Sequence, residues 1–425
     1  RSQLRLLSST SAAVTFREML GLFCGAACAG GGHRLALARH SVPAPCTLVP
    51  GKLRAGRTRT WHPVPRRASG GRGLSNEMAL QLATESLPQF AAKDVGQVDS
   101  IASVSSRLIQ GLWTGMGSIE EIIVTSGAGL VCSFIAKFIR SRKNPQNFEE
   151  KRDHESYYVE ANFFEHGHAD HLCSAGAACP RPLSIRKEDE GLTICMTKLP
   201  GRPVGRANRE QTTAALTWLA RLHATYWGNE RADAAVRTGL QKQGCYWHFD
   251  TRQLEMERMP RTGRDGRLRM AAAGIDARLK ADKMQTICHG DTKNANIMWD
   301  PEAGVSFFDF QWVGKAPPSK DLAYFFACAA GSCTEDEELG YLKHYLAELS
   351  ASLPQGEEAP TVDELQVSLT LAMCDLARWM AGWGWWGNTR LLDRHMNSLL
   401  DRLDGGKPLS SSEEYRDRIF AEFPP

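Results

Sequence analysis

No stretch of about 18 consecutive apolar residues occurs in this 425-residue chain, so the sequence offers no membrane-spanning helix. Acidic residues are almost missing from its first 76 positions, where Glu18 stands alone against twelve Arg or Lys. That segment carries +11, and with +3 for the whole chain the remainder carries 3 − 11 = −8. A small-domain cysteine framework is lacking too. The twelve cysteines are scattered over the chain, and a core of this size can stand without disulfides. Free thiols in a reducing compartment are the expectation.

Residues 1–76 are basic, rich in Gly and Pro, and carry Ser8, Ser9, Ser11, Arg54, Arg57 and Arg59. This is the composition of an organelle transit peptide, which directs the chain to a plastid or mitochondrion; otherwise a cytoplasmic location is expected. A secretory signal around Leu20 to Cys28 and a basic arm touching nucleic acid are the other readings of the segment. No nucleic-acid partner is expected. His166, His168, His171, Cys173 and Cys179 are of the types that ligate zinc, but their spacing matches no structural zinc pair. A helix end running into a loop is expected there.

What the chain does contain is His289-Gly290-Asp291-Thr292-Lys293-Asn294-Ala295-Asn296, followed after a turn by Val305-Ser306-Phe307-Phe308-Asp309-Phe310-Gln311. An acid, an amide five residues later and a second acid ending an apolar strand suit phosphoryl transfer, which needs cations held on phosphates and an oriented hydroxyl. Asp309 and Asn296 offer oxygens to Mg²⁺, a hard ion. Asp291 is left to accept the hydroxyl proton. Singly, Asp291 could cap a loop and Asn296 could tie down a turn; jointly those readings weaken. Protein kinases share the Asp-to-Asn spacing but read His-Arg-Asp and Asp-Phe-Gly. Only nine residues separate Gln311 from Asp321, too few for a protein-kinase activation segment.

With the trailing Asp321-Leu322-Ala323-Tyr324, the pattern resembles the small-molecule kinases on the protein-kinase fold. Within them it is most similar to the choline-kinase-like and ecdysteroid-kinase-like branch, which is related to the aminoglycoside phosphotransferases, over roughly residues 95 to 405. The resemblance implies a bilobal α+β fold with a small β-rich N-terminal lobe at 95–200 and a larger, mainly helical lobe at 201–425. It also implies ATP and Mg²⁺ as cofactors and a small-molecule hydroxyl acceptor as partner.

A glycine turn, Gly111 to Ile119, can bring backbone N–H groups close to phosphates through Gly115 and Gly117, although an ordinary hairpin turn would look the same. Lys137 lies inside the apolar strand Val131 to Ile139 and is costly there unless paired. By resemblance it holds phosphates with a glutamate of the next helix. Glu160 is the candidate and Glu155 and Glu165 its rivals, because Tyr157, Ala161 and Phe164 share one helical face. Pro200-Gly201 punctuates a turn, which by resemblance is the hinge, with the adenine ring met by backbone near Thr197 and Leu199.

In the second part, Asn208 and Gln211 cap a helix that Gly228 closes. His223 on its apolar face reads as a core histidine more readily than a catalytic one. Residues 229–283 read as one helix and a surface connection. Tyr246, Trp247 and Phe249 read as core, with an approach to substrate as the alternative. Lys293 either touches the γ-phosphate or faces water. By resemblance Asp321, at a helix N-terminus, braces the catalytic loop. Trp379, Trp383, Trp385 and Trp386 form either core or a cage for a quaternary ammonium group.

These readings give a kinase that moves the γ-phosphate of ATP to a small alcohol, choline-like, ethanolamine-like or steroid. An aminoglycoside-type enzyme or a catalytically silent nucleotide-binding scaffold are the alternatives. The acceptor and the oligomeric state stay open at this stage.

Overall fold

The computed structural model describes residues 74–112, 115–140, 147–189, 191–331 and 333–425. The basic segment read as a targeting sequence lies outside them except for its last residues.

The first lobe is built on an antiparallel sheet of β1 (Ile101–Gly111), β2 (Gly117–Ser126), β3 (Val131–Arg140), β4 (Pro182–Glu188) and β5 (Gly191–Thr197), in the order β1-β2-β3-β5-β4. Side chains alternate across a strand, and this alternation divides β3 between two cores. Phe134 and Ala136 face one side, where Leu82 and Ala83 of helix α1 (Asn76–Ser86) cover them. Ile135 and Ile139 face the other, and Lys137 falls in phase with them. Helix α1 lies ahead of residue 95, where the sequence reading begins this lobe; Ser75 caps it through Met78 N. Between β3 and β4 run α2 (Phe148–Glu165) and α3 (His168–Ser174).

The segment after β5 enters the larger lobe through the short β6 (Arg202–Pro203). Helix α4 (Arg209–Thr225) starts with the reciprocal Asn208–Gln211 cap and buries Leu216, Leu219 and Leu222. It ends at Thr225, and Gly228, expected to close it, instead precedes α5 (Asn229–Arg237) at a φ of 90°. Residues 229–283 correct the expectation of a single helix. They form α5, α6 (Gln253–Arg258) and α7 (Gly263–Lys280), and α7 is wedged between two later helices, α10 (Val362–Trp383) and α12 (Ser412–Glu422). The buried face of α7 is largely small, with Ala271, Ala272 and Gly274 beside Leu268 and Ile275. A Cβ on Gly274 would stand 2.8 Å from Arg416 Cα, so close helix approach replaces the large apolar stripe that a sequence reading looks for.

Two small sheets carry the motif. Strand β7 (Thr286–Cys288) pairs with β10 (Gly314–Ala316), and β8 (Ile297–Asp300) with β9 (Gly304–Phe307) and β6. Helices α8 (Ser319–Cys328), α9 (Glu335–Ser352), α10, α11 (Thr389–Asp404) and α12 complete the lobe. The fold is thus α+β in two lobes, as the resemblance implies.

Candidate active site

The loop after β7 is held from below by Asp321 in the first turn of α8. Its carboxylate accepts from His289 N at 2.7 Å and Gly290 N at 2.9 Å, and its carbonyl accepts from Thr292 Oγ1 at 2.9 Å. His223 stands behind it, Nε2 against Asp321 at 3.3 Å and Nδ1 against the Tyr345 hydroxyl at 2.8 Å. His223 is therefore a hydrogen-bonded core histidine. Gly290 has a φ of 84°, and a Cβ there would meet Trp312 O at 2.2 Å and Cys245 N at 2.9 Å. No side chain fits, which explains glycine where protein kinases have arginine.

His289 reaches the opposite side of the loop. Its Nε2 donates to Phe308 O at 3.1 Å and its Nδ1 accepts from Asp291 N at 3.3 Å, an arrangement of neutral imidazole. Burial agrees, holding its pKa below the ordinary value despite the charges of Asp321, Asp291 and Asp309.

Asp291 is buried. Its Oδ2 accepts from Lys293 Nζ at 2.7 Å and Asn296 Nδ2 at 2.8 Å, while Oδ1, also buried, has no partner among the described residues. Lys293, left between phosphate and water by the sequence, thus lies against the carboxylate. The Asn296 amide donates to Asp291 O as well, at 2.9 Å, which leaves its carbonyl oxygen as the free end.

Asp309 ends the motif at a φ of 71°, in the left-handed region that non-glycine residues seldom adopt. Its Oδ1 accepts from Lys137 Nζ at 2.9 Å and Gln311 Nε2 at 2.5 Å. Burial works against its ionisation, but the charges of Lys137 and Lys293 outweigh burial and draw the carboxyl down to about 2. Lys137 also donates to Glu160 Oε2 at 2.6 Å, and Glu160 Oε1 accepts from Phe310 N at 3.1 Å. Burial opposes the Lys137 charge, yet Asp309 and Glu160 hold its pKa above the ordinary lysine range. Of the three glutamates weighed, Glu160 makes this pair. Phe310 stacks on Phe163 of α2 at 4.0 Å, which locks the helix to the motif.

The remaining expected positions behave differently. Gly115 has a φ of 72° and open space where a Cβ would stand, while a Cβ on Gly117 would overlap Phe138 O at 1.7 Å, so Gly117 has a packing reason of its own. Residues 113 and 114 of that turn lie outside the described residues. Thr197 Oγ1 accepts from Arg181 N at 2.9 Å, and Leu199 is half-buried just beyond β5. Thr197's side chain is therefore tied to the residue that leads into β4, and backbone is what the position offers a ligand.

The histidine–cysteine cluster forms α3 and its flanks. His168 is shared between the Tyr226 hydroxyl and Thr238 Oγ1, both at 2.8 Å, and Cys173 Sγ lies 3.8 Å from Cys179 Sγ. Among the described residues the group close enough to share an ion is His223, Cys288 and Asp321, whose histidine and aspartate are already bonded to the loop and core. Sequence reasoning gave no role to Gln311, whose signal was its place in Asp-Phe-Gln. It also missed Arg152 and Arg252, for which only a tertiary contact speaks.

A two-lobe fold in which a lysine–glutamate pair meets Asp309, and a loop ties Asp291 to Asn296, is that of an enzyme that transfers phosphate to a hydroxyl group. Residues 132–357 match the phosphotransferase enzyme family (APH), over half of the chain, and the chain belongs to that family. Similar solved structures include a choline kinase from Streptococcus pneumoniae, at 13% identity and TM-score 0.43 over 76% of this chain and 99% of that one. An ethanolamine kinase from Plasmodium vivax is similar at 14% identity and TM-score 0.42, over 79% and 96%. An aminoglycoside phosphotransferase from Streptomyces rimosus is similar at 18% identity and TM-score 0.37, over 70% and 98%. No curated protein sequence matches the chain. The protein is a small-molecule phosphotransferase.

Proposed function

We propose that this enzyme moves the γ-phosphate of ATP to the hydroxyl of a small alcohol, with Asp291 receiving the hydroxyl hydrogen bond and then its proton. The observation that carries the proposal is the asymmetry of Asp291. One carboxylate oxygen is fixed by Lys293 and Asn296, and the other is buried without a partner among the described residues. A buried acceptor left unpaired costs free energy unless a ligand completes it, and an incoming alcohol does so while being aimed at the phosphate. Lys137, braced by Glu160, holds phosphate oxygens in this reading. Gly115, Gly117 and the backbone at Thr197 and Leu199 cradle the rest of the nucleotide.

The Asp309 carboxylate and the Asn296 carbonyl are a hard-oxygen donor set that fits Mg²⁺. Bound there, Mg²⁺ would neutralise phosphate charge.

The test supplies ATP labelled at its terminal phosphate, with and without Mg²⁺, to a panel of alcohols. Label should pass to at least one alcohol only with Mg²⁺ present and should be lost in Asp309→Ala. Transfer indifferent to both the ion and the substitution would refute the assignment.

A further inference from the structure

Beside Asp291 the chain builds an aromatic wall. The close approach of Gly290 to Trp312 O and Cys245 N brings Trp312 and Tyr246 next to the catalytic loop. Burial first, and then the charge of Asp291, push the Tyr246 phenol up, in keeping with that nearness. The Tyr246 ring lies 5.7 Å from Trp312 and 5.0 Å from Trp379, and Trp379 lies 4.7 Å from Trp386. Walls of this kind attract cations, and an ammonium alcohol would find such faces at the right place.

Here, however, arginines already stand over three of the rings. Arg252, which is buried, has its Cζ 5.1 Å from the Tyr246 ring centre and 5.2 Å from that of Trp379. It is fixed by Nε donating to Tyr246 O at 3.1 Å and by Glu255 at 3.4 Å. Arg152 lies over Trp312 at 5.4 Å, held by Asp153 and by Thr251 O. The two guanidinium groups sense each other: burial above all, and then the charge of Arg152, hold Arg252 below its usual range. An ammonium group entering beside them would meet two guanidinium groups, each paired with its own carboxylate, standing over the rings of Tyr246, Trp379 and Trp312.

Building on the proposed transfer to an alcohol, we propose that Arg252 and Arg152 are specificity-determining residues that fill the aromatic wall and restrict the acceptor to alcohols without a positive charge. Neither residue takes part in the proton transfer. Their effect is on which hydroxyl compound can lie against Trp312, the half-buried ring of the wall, with its oxygen at Asp291.

Matched acceptor pairs test this directly. Choline is compared with its carbon isostere, in which a tert-butyl group replaces trimethylammonium, and glucosamine with glucose, in the wild type, Arg252→Met and Arg152→Met. The wild type should favour the uncharged member in kcat/KM by about tenfold or more, and each folded variant should cut that preference by about tenfold, the scale of one cation–aromatic contact. Arg152→Met, on the half-buried Trp312, serves if the buried Arg252→Met does not fold. A charged member preferred by the wild type, or a ratio unmoved in every folded variant, overturns the inference while the transfer reading stands. So does failure to label any uncharged member while nucleotide still binds. Absence of both transfer and Mg²⁺-dependent ATP binding defeats the transfer reading itself and the inference with it.

Discussion

Lys137 is a cation inside an apolar strand, with its side chain only 4% exposed, and it is tolerated there because Glu160 and Asp309 meet it on two sides. Removing one member of a buried ionic group leaves the others uncompensated, at a cost of roughly 3 kcal/mol or more. Lys137→Ala should lose about that much in urea unfolding; a change within the scatter of surface substitutions would mean the pairing is not formed in solution. His168 contributes one part of the pH dependence. Burial, with the charges of His166 and His171 added, holds its pKa down to about 4 against an ordinary 6.5. Between those values the unfolded chain binds a proton that the folded one refuses, so stability is full above 6.5 and falls as pH drops toward 4. The stability advantage of the wild type over His168→Gln should shrink by roughly 2 kcal/mol across that window, measured by denaturant unfolding at each pH; a constant difference would contradict the assignment.

At the scale of elements, the loop from His289 to Asn296, α1 and α7 show why some parts were legible in the sequence and others were not. The loop was legible because its chemistry is local: Asp291 and Asn296 are five residues apart and Asp309 follows one hairpin later. Glu160 was legible from helical phase. Its partner contacts, and the need for glycine at 290, belong to tertiary packing. Gly290→Ala would drive a methyl group into the Trp312 and Cys245 backbone at a φ of 84°. Transfer should drop by about a hundredfold, the usual penalty for displaced catalytic geometry, while the helical circular dichroism stays close to wild type. Unchanged activity would show the loop has room that the packing denies. Helix α1 was missed because it directly follows the basic segment and buries only Ala79, Leu82 and Ala83 among its apolar residues. Starting the chain at residue 95 should expose Ile122, Val124 and Phe134 and cost several kcal/mol, given about 2 kcal/mol per large apolar side chain. A thermal melt as high as the full chain's would show that the helix is dispensable. Helix α7 was misread because Ala and Gly carry its packing, and the aromatic wall because a ring's partner, arginine or ligand, is not written in its spacing.

Across the whole molecule the two lobes meet at the proposed site through a few specific bonds. Lys137 reaches Asp309, Glu160 reaches Phe310 N, Ser156 Oγ lies 3.0 Å from Gln311 Oε1, and Arg152 donates to Thr251 O at 3.0 Å. The small lobe thereby positions the groups proposed to hold phosphate, and the large lobe the aspartate proposed to receive the proton. The most direct test of this account is single-turnover transfer of the labelled terminal phosphate of ATP to an accepted alcohol by Asp291→Asn, with nucleotide affinity measured on the same sample. The account predicts a fall in transfer of roughly a hundredfold to ten-thousandfold, the range of a lost general base, with nucleotide affinity kept. Transfer at the wild-type rate by a variant that still binds nucleotide would contradict it.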